Sequence, residues 1–137
     1  MTQEDKKLLL KDLCARLPYN VRVEYNGTTL TNIFDVLSIA HGRIVLCLPF
    51  MSKTQCPLIE EVKPYLFPIS SMTEEQKEEL SNEMCYLTHS QIEGRNPNGL
   101  IESTVFEIDF YNKHHIDYRG LIEKGLALDA TGLNIYN

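Results

Sequence analysis

Several absences narrow the field first. No window of the chain approaches the roughly 20 apolar residues needed to span a bilayer, and the N-terminus, MTQEDKKLLL, is acidic and basic by turns, with no apolar signal-peptide core behind a basic region. The chain is therefore expected to stay in the cytoplasm, away from membranes. The four cysteines, Cys14, Cys47, Cys56 and Cys85, form no CxxC pair and no Cys/His cluster at zinc-ligand spacing. They read as small buried hydrophobes in a reducing compartment, and no metal site is expected. Walker A, GxGxxG and GxSxG signatures are missing, so nucleotide binding and serine-nucleophile chemistry lack their usual signals and no cofactor is implied. Positive charge is short as well: 13 Lys and Arg against 19 Asp and Glu leave a net charge of −6. Broad nucleic-acid binding needs clustered cations and is disfavoured.

What is present suits a globular protein. The 137 residues, 43% apolar and 23% charged, fit one domain over 1–137 that buries an ordinary core without staples. Thr2 is a good N-cap, followed by Gln3, Glu4 and Asp5 where the helix dipole favours acid. Leu9, Leu13 and Leu17 then recur at spacing four, with Leu10 and Cys14 beside them, until Pro18 ends the helix. From Asn20 the period changes to two: Val21, Val23 and Tyr25 alternate with Arg22 and Glu24. Asn26-Gly27 and His41-Gly42 are turn candidates that separate this strand from Thr28 to Ser38 and from Arg43 to Leu48, giving a three-stranded antiparallel meander.

The Pro-rich segment Pro49 to Pro68 is expected to cover or extend an edge of that sheet, with Val62 to Leu66 as a short edge strand. Thr73 and Gln76 form a capping box that opens a second helix, to about Tyr86. Glu74, Glu75, Glu78, Glu79 and Glu83 make it a solvated acidic face. Thr88 to Gly99 reads as a long irregular loop. The next stretch alternates like a strand at Phe106, Ile108 and Phe110, yet Val105, Ile108 and Tyr111 are also helical neighbours; a helix from about Ser103 to His115 is preferred. The expected fold is α+β, a small antiparallel meander or partial-barrel sheet packed with three helices.

Two constellations carry candidate chemistry. His114 and His115 lie near Asp109 and Asp117, but adjacent histidines diverge on a helix and cannot chelate one ion unaided. A His/Asp pair such as His115 and Asp117 would serve a general base, although no nucleophile or second acid accompanies it. Asp117, Tyr118 and Arg119 form the second group. An Arg beside a Tyr can hold a phosphate or carboxylate by a forked pair of hydrogen bonds with the ring as a stacking surface, helped by a lysine such as Lys113 or Lys124. The competing reading is an internal lock, in which Asp117 or a helix carboxylate pairs with Arg119 and fixes the turn at Gly120. The ligand-binding candidates are thus Tyr118, Arg119, His115 and Asp117, and no residue is assigned as catalytic.

The segments KKLLLKDLCARLPYNVRVEYNG, VKPYLFPISSMTEEQKEEL and DFYNKHHIDYRGLIEKGLALDA resemble an uncharacterised family of gut Bacteroides-type bacteria and their phages and prophages. The resemblance runs from Lys7 to about Ala130, and implies a small cytoplasmic protein of phage or mobile-element context without assigned activity. That family is associated with a basic residue where this chain has Phe67. The function expected is a non-catalytic accessory or binding protein acting through protein-protein contacts, with a host protein as possible partner and homodimerisation through a sheet edge open. The alternatives are an anionic-ligand or nucleotide binder at the DYRG region and an enzyme using a His/Asp pair.

Overall fold

The structure, a computed structural model, describes residues 1–25, 33–40, 43–47 and 54–136. Helix α1 spans Gln3–Arg16 and begins at a reciprocal capping box: Thr2 Oγ1 accepts the Asp5 N–H at 3.1 Å, and an Asp5 carboxylate oxygen accepts the Thr2 N–H at 3.2 Å. Its buried stripe is Leu9, Asp12, Leu13 and Arg16, turned from the all-leucine stripe expected from sequence, because Leu10 and Cys14 lie exposed. A 3-10 turn through Leu17–Tyr19 ends on Asn20 in the left-handed region.

The sheet contains β1 (Arg22–Tyr25), β2 (Ile33–Ala40), β3 (Arg43–Cys47), β4 (Thr54–Gln55) and β5 (Val62–Pro68), then β6 (Ile116–Asp117) and β7 (Leu128–Asp129). The strand order is β4-β3-β2-β1-β5-β6, with β7 also on β5. β1, β2 and β3 form the expected antiparallel meander, with Val23 opposite Phe34 and Ile39 opposite Ile44. A register shift between Val36 and Ser38 marks a bulge. The two turn candidates, Asn26-Gly27 and His41-Gly42, lie outside the described residues.

Segment 62–66 departs from the edge strand expected. β5 is interior: its first half pairs antiparallel with β1, placing Val23 opposite Pro64, and its second half pairs in parallel with β6 at Phe67/Ile116 and β7 at Tyr65/Leu128. The sheet is consequently mixed rather than wholly antiparallel. β6 and β7 are two residues each, too short to leave a periodic signature.

Helices α2 (Glu74–Ile92) and α3 (Gly99–Lys113) form an antiparallel hairpin. The Thr73/Gln76 capping box is present with bonds of 3.1 and 3.0 Å. The irregular loop expected over Thr88–Gly99 shrinks to residues 93–98, since α2 continues to Ile92 before Gly94, at φ +78°, takes the left-handed turn that ends it. α3 starts earlier than expected, and Gln91 caps it by accepting the Leu100 N–H at 2.7 Å.

The main core joins Leu9 and Leu13 of α1 to Val21, Val23, Val36, Ile44, Val62 and Leu66 of the sheet region and to Leu121 and Leu126 of the tail. A second cluster, Met72, Leu80, Phe110 and Ile116, lies beneath the hairpin. A third packs Tyr65, Ala130 and Ile135. Each fully buried aliphatic side chain here contributes about 1.5–3 kcal/mol. The cysteines depart from the buried reading: Cys14, Cys56 and Cys85 are free and exposed.

Candidate functional site

Asp12 and Arg16 are four residues apart, so α1 sets them on one face beside Leu9 and Leu13. Both side chains are wholly buried. Arg16 donates to both Asp12 carboxylate oxygens, from Nε at 2.8 Å and Nη2 at 3.1 Å. It also donates to the carbonyls of Ile116 at 2.7 Å and Tyr111 at 3.3 Å. The second carbonyl belongs to the last turn of α3, where a cation offsets the negative end of the helix dipole.

The DYRG turn meets the same carboxylate. Arg119 Nε donates to Asp12 at 3.2 Å, and its Nη2 donates to the Tyr118 hydroxyl at 3.0 Å. That hydroxyl donates in turn to the Asn112 side-chain oxygen at 3.1 Å. The Tyr118 ring stacks on Tyr111 with centroids 5.5 Å apart and receives both guanidinium groups, Arg119 at 4.8 Å and Arg16 at 5.5 Å. One carboxylate thus anchors two arginines, and the fork that an anionic ligand would need is already engaged.

Asp117 faces elsewhere. It is buried, and its two oxygens accept the N–H groups of Leu121 at 2.9 Å and Ile122 at 2.9 Å, holding the turn that follows Gly120. His115 sits at φ +57°, an uncommon position for a non-glycine residue. Its carbonyl accepts the Phe67 N–H at 2.8 Å, and its ring lies flat on Tyr136, centroids 3.8 Å apart. Burial pushes the His115 imidazole down to about 4, with the charges of Arg16, His114 and Arg22 adding to it. Its Nδ1 is buried without a hydrogen-bond partner. The Tyr136 hydroxyl donates to the Tyr65 carbonyl at 2.6 Å and accepts the Arg22 N–H at 3.1 Å, and burial raises its phenol. Arg22 completes this corner by pairing with Asp35 at 3.0 Å and donating to the Ile135 carbonyl.

His114 turns the other way. It packs on Phe110 at 4.5 Å and meets Gln76 through Nδ1 at 3.5 Å, and burial lowers its imidazole, with Lys113 adding to the effect and Glu79 opposing it. With Phe67 and Gln76 it lines a recess of about 200 Å³. A larger cleft of about 400 Å³ opens beside Asp117, Tyr118 and Glu123. Its walls carry two carboxylates and no basic side chain, which is the wrong sign for a phosphate or a nucleotide.

No family model, no curated protein and no solved structure matches the chain. Tyr118 and Arg119 are brought together, as their adjacency suggests, while His115 joins a different cluster with Tyr136 and Asp117 holds a backbone turn. Asp12, Arg16, Asn112 and Tyr136 were missed by sequence reasoning. For the first two a signal exists: an Asp/Arg pair at spacing four on the same helical face as Leu9 and Leu13. Among the described residues no group of three or more His, Cys, Asp or Glu is placed to hold a metal ion.

Proposed function

We propose that this chain is a non-catalytic binding module that acts through protein-protein contacts, an accessory protein of phage or prophage type working in the cytoplasm. The supporting observation is where apolar surface is left uncovered. Ile92 is 74% exposed, Ile101 67%, Leu100 53% and Val105 52%, all at the tip and outer face of the α2/α3 hairpin. Three of the four are β-branched residues, which helical propensity alone does not favour on an exposed face. Ile101 and Val105 are four residues apart on α3 and so share one face, and apolar side chains exposed together mark interaction sites. The polar candidates support the same reading by their bonding, since Arg119 is held by Asp12 and Asp117 by the 121–122 amides. No described helix is long and apolar enough to cross a membrane.

The test is a saturable pull-down from a lysate of a gut Bacteroides-type bacterium, comparing the wild-type chain with the double variant Ile101→Glu/Val105→Glu. Loss of the retained partner at unchanged melting temperature is the expected result. Absence of any saturable partner, or retention indifferent to the double variant, would count against the reading.

A further inference from the structure

His115 and Tyr136 form a joint that neither the Asp12 network nor the hairpin surface accounts for. Their rings lie 3.8 Å apart at 10°, so the phenol covers one face of an imidazole that is only 7% exposed. His115 Nδ1 is buried without a hydrogen-bond partner. Whichever nitrogen carries the proton of the neutral ring, the imidazolium is a donor at both, and at Nδ1 that donor would meet no acceptor.

The surrounding charges act in the same direction. Arg16 of α1, Arg22 of β1 and the adjacent His114 each oppose a further cation here. The nearby carboxylates are committed, Asp12 of α1 to Arg16 and Arg119, and Asp35 of β2 to Arg22. On β5, Tyr65 turns its phenol to Glu24. Tyr136 itself is held in its neutral form by burial. A phenol face attracts a cation, but burial and two guanidinium groups outweigh it, and the imidazole is held down to about 4.

The part that can give way is the segment 132–136. Past β7 the described chain enters no strand pairing. Gly132 sits at φ +77° with open space where a Cβ would stand, which suits it to act as a hinge. Beyond it the segment is held by the Ile135 side chain against Tyr65 and Ala130, by the Ile135 carbonyl on Arg22, and by Tyr136, through its ring on His115 and its hydroxyl on Tyr65 and Arg22. Opening a short segment of this kind costs far less than unfolding the chain.

We propose that residues 132–136 are an acid-released strap: protonation of His115 expels the Tyr136 ring, the segment swings about Gly132, and the Tyr65 and Phe67 side of β5 is uncovered. The device is independent of the protein-contact reading above.

The test is amide hydrogen exchange on the full chain by NMR, corrected for the intrinsic rate at each pH. The Arg22 N–H, bonded to the Tyr136 hydroxyl, reports the strap, and the Ala130 N–H, bonded to the Leu66 carbonyl, reports the tail before the hinge. An opened strap returns the imidazole from about 4 to its ordinary 6.5, so Arg22 protection should fall about twentyfold between pH 7 and pH 5, while Ala130 protection changes by less than about threefold. His115→Asn, which accepts the same positive φ, should abolish the fall. Tyr136→Ala, which removes the cover, should raise the His115 titration seen by NMR from about 4 towards 6.5. Three outcomes would overturn the proposal: equal falls at Arg22 and Ala130, a fall that survives His115→Asn, or an imidazole that still titrates near 4 in Tyr136→Ala.

Discussion

Asp12 is the residue on which the polar interior turns. It faces two guanidinium groups, one wholly buried and one mostly so, and a buried charge left without its partner is far costlier than the intact pair is beneficial. Asp12→Asn should therefore lower unfolding free energy by about 3–5 kcal/mol in urea denaturation, while replacing Asp12 and Arg16 together by apolar residues of similar volume should cost much less. A loss under about 1 kcal/mol for Asp12→Asn would show that the arginines find other partners. His115 gives a second prediction. Above its ordinary value of 6.5 the imidazole is neutral in folded and unfolded chains alike. Below it, the unfolded chain takes up a proton that the folded one resists until about pH 4. Stability should fall as pH drops through that window, by up to about 3 kcal/mol from this group. His115→Asn, which tolerates the same positive φ, should flatten the curve between pH 7 and pH 4. Parallel curves for wild type and variant would contradict the assignment. The groups facing this imidazole are Arg16 from α1, Arg22 from β1 and His114 beside it, all of which oppose its protonation.

At the scale of elements, capping chemistry was legible and tertiary pairing was not. Thr2, Thr73 and Gln76 announce the starts of α1 and α2 because a side-chain oxygen bonding to amides three residues on is a local event. The end of α2 was misjudged because Thr88, His89 and Ser90 are weak helix formers whose helical state is decided by packing against α3. β6 and β7 left no trace, since two-residue strands are defined only by the β5 they meet. Asp12 and Arg16 were passed over for a related reason: a charged pair at spacing four looks like ordinary surface pairing until the helix is docked. Gly99 shows how close that docking is. A Cβ built there would lie 2.1 Å from the Leu87 carbonyl oxygen and 3.0 Å from the Gln91 side chain, so Gly99→Ala must push α2 and α3 apart. A loss of about 1–3 kcal/mol is expected, with a matching drop in melting temperature; an unchanged melting temperature would mean the helices are further apart than described.

Across the whole molecule, the C-terminal segment from Ile116 to Tyr136 acts as a clasp. Ile116, Leu128 and Ala130 join the tail to β5, Arg16 and Asp12 join it to α1, and Tyr136 joins it to β1. The α+β class and the meander were readable because hydrophobic periodicity reports them directly. The clasp was readable only in part: DYRG stood out as a turn, but its partner Asp12 lies 107 residues away from Arg119 and no local pattern links the two. The uncovered apolar surface of the hairpin is likewise a property of the assembled molecule, since the same residues on an inward face would read as core.

The most direct test is a double-mutant cycle on Asp12→Ala and Arg119→Ala, read by equilibrium urea denaturation. If the DYRG polar groups serve to close the molecule, the two substitutions should be coupled by about 1 kcal/mol or more. Additive effects, with Arg119→Ala alone leaving stability unchanged, would mean that Arg119 is free for a ligand and that the turn is a binding site after all.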